Sequence, residues 1–238
     1  MGVCAIVFAG GSGVRMGAAI PKQFLELDGM PVLAHTLALF QDHPLIEGIY
    51  LVVNADWIDR AAAFAADYGI TKLRGVAAGG ASAQDSIYNG LRYAAAHEPA
   101  DTIVLLHDGV RPYVTPEVIA ANIDAVERFG SAITYTPCYE TIVLSRDGAA
   151  IDAIPTRKES YTAQAPQSFR LGQILAAHEK VRARSEGYAD LVDQATLLFS
   201  LGEKVHLVPG NRGNVKITTP EDLVTLEALV KWRRRHVG

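Results

Sequence analysis

Cysteine is scarce in this chain: Cys4 and Cys138 are the only two in 238 residues, too few for a disulfide framework. Each sits among apolar residues, so both are expected to be reduced core thiols of a cytoplasmic protein. Long apolar runs are missing; none approaches the roughly 18 residues that a membrane span needs. Residues 1–9 lack a charged start, so no secretory leader is expected. Charge of one sign is missing too: 22 Lys and Arg face 26 Asp and Glu, a formal charge of −4. That balance gives no general pull toward nucleic acid. The one basic run, Lys231 to His236, ends the chain and suits a helix C-terminus. Repeats and low-complexity linkers are absent. What remains is 49% apolar and 20% charged, ordinary for a globular protein, and long enough to bury a sizeable core.

Apolar runs alternate with helical patterns along the chain. Strands are expected at 3–8, 49–53, 72–77 and 102–106, the last a continuous apolar run suited to the centre of a sheet. Helices are expected at 31–40, 57–68 and 83–96, with Gly69 ending the second, and from a Thr115 cap and Pro116 to Phe129. Such alternation predicts a three-layer α/β fold with a mostly parallel, Rossmann-like sheet. After Ser131 the pattern changes. A strand at 133–137 is followed by two apolar runs, 141–145 and 149–154, around Asp147-Gly148, a two-residue hairpin signal. A β-arm is therefore expected at about 138–162, projecting from one domain that spans 1–238. The chain returns through 164–169, helices at 171–184 and 191–201, a strand at 204–208, and a helix from Pro220 capped by Thr219.

The first strand feeds Ala9-Gly10-Gly11-Ser12-Gly13-Val14-Arg15-Met16-Gly17, with Pro21-Lys22-Gln23 behind it. Gly10, Gly11 and Gly13 clear side chains from the turn, so backbone N–H groups can close around an anion. Arg15 and Lys22 add fixed positive charge. Gly11-x-Gly13-x-x-x-Gly17 also fits a dinucleotide turn, but that fold needs a helix starting in the loop, and Pro21 would break it. Gly-Lys-Ser/Thr is absent, so this is no Walker loop. A purely structural turn is the remaining alternative.

Three further pieces carry possible chemistry. His107-Asp108-Gly109-Val110-Arg111 lies where the central strand ends, the ligand edge of an open α/β sheet. Asp108 there suits a hydroxyl or a phosphate-bridging metal, or else an internal ion pair with Arg111; His107 is expected to be packed. Gly79-Gly80 precedes a helix whose first turn carries Ser86, placed for a base edge or simply a helix start. Lys216 is expected in a short apolar strand, where it converges on phosphates or points to solvent.

Taken in order, Ala-Gly-Gly-x-Gly-x-Arg-Met, Pro-Lys-Gln, His-Asp-x-x-Arg-Pro, Pro-Gln-x-Phe and Asn-x-Lys-Ile-Thr-x-Pro-x-Asp-Leu resemble the cytidylyltransferases that activate alditol phosphates. That family acts on 2-C-methyl-D-erythritol 4-phosphate or ribitol 5-phosphate, and the resemblance spans essentially the whole chain. It implies a nucleotidyltransferase-type sheet and attack of an alditol phosphate oxygen on the α-phosphorus of CTP. It implies Arg15, Lys22 and Lys216 as the catalytic cations. Ala9, Gly10, Gly11, Gly13, Gly80, Ser86, Asp108 and Gly109 would hold the nucleotide, with Asp108 also at a Mg²⁺ ion. Arg111, Thr141 and Arg157 would hold the acceptor. It implies a homodimer in which the arm lends Arg157 to the partner's site, and no nucleic-acid or membrane partner.

The chain departs from the methylerythritol enzymes at four places. Ala83 stands where they carry Arg, Ala165 where they carry Thr before Pro-Gln, Val192 where they carry Thr before Asp193, and Ser160-Tyr161 where they carry Leu-Trp. The Ala-Gly-Gly loop and Gln167-Ser168-Phe169 look more like the ribitol-phosphate branch. Ribitol 5-phosphate is the expected acceptor, with methylerythritol phosphate as the alternative. A nucleotide-binding protein without turnover is the reading from another class, opposed by the set Arg15, Lys22, Asp108 and Lys216.

Overall fold

The structure is a computed structural model that describes residues 2–11 and 21–236. Gly13 and Arg15 of the glycine loop lie outside the described residues. The strands are β1 (Val3–Phe8), β2 (Glu26–Leu27), β3 (Met30–Pro31), β4 (Gly48–Val53), β5 (Leu73–Ala78), β6 (Ile103–Asp108), β7 (Ser131–Pro137), β8 (Tyr161–Arg170) and β9 (Leu207–Pro209). The helices are α1 (Val32–Asp42), α2 (Ile58–Asp67), α3 (Ala83–Ala95), α4 (Pro116–Phe129), α5 (Leu171–Arg182), α6 (Gln194–Ser200) and α7 (Pro220–His236).

Seven strands form one sheet in the order β5-β4-β1-β6-β8-β7-β9. Neighbours β5/β4, β4/β1, β1/β6 and β7/β9 are parallel, and β8 runs antiparallel to both β6 and β7. The mostly parallel sheet expected from the alternating pattern is present. Period-two alternation splits its side chains between two cores. Ala5 and Val7 of β1 join Leu33, Leu37 and Phe40 of α1 and Val118 and Val126 of α4 on one face. Cys4 and Ile6 join Leu91 of α3 and Ile174 and Val181 of α5 on the other. These are the three layers.

A third, smaller cluster gathers Leu27, Val32, Val110, Tyr113, Ile217 and Leu226 beside the sheet's ligand edge. It is capped by α7 and by the β2/β3 ribbon, which turns at Asp28 and Gly29, both at positive φ. Thr115 caps α4 by accepting from the Val118 N–H, and Gly130 closes that helix in the left-handed conformation, as their types require.

Several expectations need correction. Lys216 is not in a strand; residues 211–217 hold no regular ladder. The strand expected at 204–208 shrinks to three residues, and the returning segment 164–169, given no element from the sequence, lies within strand β8, which begins at Tyr161. Cys4 is fully buried, but Cys138 is half-buried at the root of the excursion rather than in the core. The hairpin arm does not form as a ladder. Its two halves are joined by a single bridge, Leu144 with Ala153. The Asp147 carboxylate accepts from the N–H groups of Ala149 and Ala150 (2.9 and 3.1 Å), while Ser145 Oγ accepts from the Gly148 N–H. That side-chain capture makes a wider turn than a two-residue Asp-Gly hairpin and takes donors that a ladder would use.

Candidate active site

The C-terminal ends of β1, β4, β5 and β6 meet at one edge, tied by short backbone bonds. The Ala9 N–H donates to Val52 O (2.8 Å), the Gly79 N–H to Val53 O (2.7 Å), and the Gly109 N–H to Phe8 O (2.8 Å). A cavity of about 450 Å³ opens there, lined by Ala9, Gly10, Gly11, Lys22, Gly80, Ser86, Asp108 and Lys216 among others. A smaller cavity of about 180 Å³ adjoins it, lined by Arg111, Gln164, Ala165, Gln167, Val192 and Asp193. Phe8, Ala83, Ile87, Asp108 and Lys216 border both.

Asp108 is the hinge between the two spaces. Its Oδ1 accepts from Lys216 Nζ at 2.7 Å and its Oδ2 from Arg111 Nε at 2.8 Å. Burial would raise this carboxyl, but Lys216 and Arg111 outweigh it and hold the group well below the usual carboxylate range. Arg111 spends a second donor, Nη1, on Asn214 O (2.8 Å). The internal ion pair weighed from the sequence is therefore present, while Arg111 still faces the smaller cavity.

Lys22 stands on a 3₁₀ turn, Lys22–Phe24. The turn is anchored by Phe24, whose ring stacks on Trp57 at 4.1 Å and meets Phe64 edge-on. Lys22 Nζ donates to Ile217 O (2.8 Å), beside Lys216. Two cations from opposite ends of the chain thus converge at one wall. Gln23 is buried, and its Nε2 donates to Ala9 O (2.7 Å).

Not every expected contact is free for a ligand. Ala9 lines the larger cavity, but its N–H is given to Val52 and its carbonyl already accepts from Gln23. Gly109 is buried, lines neither cavity, and its carbonyl accepts from Thr36 Oγ1 (3.0 Å). Ser86 Oγ accepts from the Gly80 N–H and donates to Ser82 O, both at 2.9 Å. Gly80 is required sterically: a Cβ there would fall 2.4 Å from Asp85 Cβ. Thr141 and Arg157 are exposed on the excursion and line neither cavity of their own chain. His107 is packed as expected: 1% exposed, its ring edge-on to Phe40, with Nε2 on Arg111 O.

The sequence reading missed the floor of the smaller cavity. Gln167 Nε2 donates to Asp193 Oδ2 (2.9 Å), Gln194 N–H to Gln167 Oε1 (2.9 Å), and Gln194 Nε2 to Gln84 Oε1 (3.1 Å). The signal was a cluster of glutamines beside apolar positions, on elements far apart in the chain. Among the described residues, no group of three or more His, Cys, Asp or Glu is placed to hold a metal ion. None of the described helices is long and apolar enough to cross a membrane.

Residues 3–232 match the family described as IspD, 2-C-methyl-D-erythritol 4-phosphate cytidylyltransferase. A ribitol-5-phosphate cytidylyltransferase of Streptococcus agalactiae serotype V is 40% identical over 229 residues, covering 96% of this chain and 95% of that one. A 2-C-methyl-D-erythritol 4-phosphate cytidylyltransferase of Geobacter metallireducens is 42% identical over 232 residues, covering 97% and 98%. Among solved structures, the 4-diphosphocytidyl-2C-methyl-D-erythritol synthase of Anaerococcus prevotii superposes with a TM-score of 0.82 at 31% identity, covering 97% of this chain and 96% of that one. The 2-C-methyl-D-erythritol 4-phosphate cytidylyltransferase of Francisella tularensis gives 0.80 at 27%, covering 98% and 100%.

Proposed function

The chain belongs to the IspD family of cytidylyltransferases, and from that premise we propose that it joins CMP to D-ribitol 5-phosphate, giving CDP-ribitol. A phosphate oxygen of the acceptor attacks the α-phosphorus of CTP, the bond to the β-phosphate breaks, and pyrophosphate leaves. Such a transfer asks for positioning and charge neutralisation rather than covalent help. The observation that carries the reading is the shared wall: Asp108 and Lys216 border both cavities, so one pair of groups faces nucleotide and acceptor together.

Lys22 and Lys216 grip the triphosphate from one side, and the family resemblance adds Arg15 as the third catalytic cation. Gly10, Gly11, Gly80 and Ser86 face the nucleoside. A magnesium ion fits this donor set as one carried in by the triphosphate, since Mg²⁺ takes one or two carboxylates and leaves its other positions to phosphates and water. Asp108 would supply that carboxylate, and the ion would supply charge neutralisation on the phosphates.

Ribitol 5-phosphate is favoured by Ala165 and Val192, which line the smaller cavity where the methylerythritol enzymes carry hydroxyls. The second reading, 2-C-methyl-D-erythritol 4-phosphate, is favoured by the 42% identity to the Geobacter enzyme. Thr141 and Arg157 belong to the acceptor site of a partner subunit. Support comes from their exposure and from the apolar surface around them, where Val143, Leu144, Ile151 and Ile154 are each half exposed or more. A dimer built through this excursion puts each Arg157 in the other chain's site. A cytoplasmic location is supported by the chain's two free cysteines.

The test is pyrophosphate release from CTP with a panel of polyol phosphates. Turnover is expected with ribitol 5-phosphate. Release with methylerythritol phosphate alone would reverse the acceptor, and release with none would sink the transferase reading.

A further inference from the structure

The three cations around Asp108 and Ile217 O share one support. Residues 211–218 carry Lys216, accept from Lys22 through Ile217 O, and accept from Arg111 through Asn214 O. No sheet ladder holds this strap, so its height over the site depends on a few fixings. At one end, the Thr218 and Thr219 N–H groups donate to Asp222 Oδ2, both at 2.8 Å. In the middle, the Ile217 N–H donates to Val110 O (3.0 Å), and the Ile217 side chain is fully buried. At the other end, Asn211 Nδ2 donates to Tyr113 O (2.9 Å), and between that end and Ile217 stands Asn214.

Asn214 is fully buried and lines neither cavity. Its Nδ2 donates to Ala165 O on β8 at 2.5 Å, while its Oδ1 has no partner among the described residues. The reverse orientation would set Oδ1 against the Ala165 carbonyl, so the amide has one sense. A buried acceptor left unmatched lowers stability. Leucine has the same branched shape and would exchange the unmatched Oδ1 for an unmatched Ala165 carbonyl, so stability alone gains little from an amide here. What the amide adds is direction: it pins the strap to the wall of the smaller cavity two residues before Lys216.

We propose that Asn214 is a positioning residue of the transfer, holding the strap at the height from which Lys216 reaches Asp108 and Arg111 reaches the Asn214 carbonyl. It touches no reacting atom and acts through those two cations. Its kinetic readout rests on the cytidylyl-transfer reading above.

The test uses Asn214→Leu and Asn214→Ala in the full chain, with CTP and the preferred alditol phosphate. Misplacement by about 1 Å can cost on the order of 10²-fold, so kcat should fall by about that much. KM for CTP should stay within about threefold, the pattern of a group felt in the transition state. Thermal midpoints of Asn214→Leu and the parent should agree. Separately, the Lys216 ε-methylene signal, identified by its loss in Lys216→Arg, should shift in Asn214→Leu in carbon–proton correlation spectra. An unchanged kcat in Asn214→Leu overturns the proposal, as does a rise in KM that accounts for the whole loss. Failure of both variants to fold overturns it too, since it marks a structural residue. If the parent transfers nothing from CTP, the transferase reading falls and the Lys216 signal decides alone: shifted, the positioning role stands; unmoved, it does not.

Discussion

Asp108 receives one cation on each carboxylate oxygen, and both cations come from outside its own strand. Lys216 is the more exposed of the two, 42% against 13% for Arg111, and so is the one able to turn to a ligand. Lys216→Ala should therefore lower kcat for pyrophosphate release by roughly 10²–10³-fold, the scale of losing one preorganised donor. Lys22→Ala should fall in the same range, with circular dichroism unchanged for both. Lys22, Asp108 and Lys216 were legible in the sequence because each is a charge set beside glycine, proline or apolar residues within a recognisable motif. Ala9 and Gly109 were legible as neighbours of the site, but not as groups already engaged. Their partners, Val52, Gln23 and Thr36, come from other elements, and no local pattern records such bonds. Gln23 and Asn214 stood inside motifs, yet their roles depend on which carbonyl each amide meets.

At the scale of the element, strands β1, β4 and β6 were readable because buried parallel strands are continuous apolar runs. The place of the excursion after Pro137 was readable too, but its lack of a ladder was not, because its turn is decided by the Asp147 side chain. The start of α3 gives a direct test. Gly80 lies so close to Asp85 that a Cβ would collide with backbone as well as side chain (2.8 Å to Asp85 C). Gly80→Ala should cost about 1–3 kcal/mol in denaturant unfolding and weaken nucleotide binding with it. Among the described residues, a Cβ at Gly11 would meet nothing nearer than Lys22 Cε at 3.8 Å. Gly11→Ala should leave stability unchanged and weaken the nucleotide alone. Equal stability losses in the two variants would contradict this account of the loop edge.

For the whole molecule, two buried histidines set an acid limit. Burial pushes His107 down to about 4, against the bond to Arg111 O, and pushes His178 down to about 4, against its bond to Gln194. Both are neutral when folded and take up a proton more readily when unfolded. The unfolded chain therefore binds more protons between about pH 6.5 and 4, and stability falls as pH falls through that window. From pH 7 to pH 5 each histidine should remove about 2 kcal/mol, read as a lower urea midpoint with an unchanged slope. A flat midpoint over that range would show that neither is held neutral. Subunit sharing is tested by mixing Arg157→Ala with Lys216→Ala chains. If the excursion serves the partner, one site of each hybrid dimer is intact and activity returns. No recovery would place each site within one chain.

The central claim is that the wall shared by Asp108 and Lys216 joins a cytidylyl group to an alditol phosphate. Phosphorus NMR of the protein with CTP, Mg²⁺ and ribitol 5-phosphate tests it in one sample. The CTP resonances should give way to pyrophosphate and the paired signals of a CDP-alditol diphosphate. Intact CTP, or pyrophosphate accompanied by CMP with no such diphosphate, would contradict it.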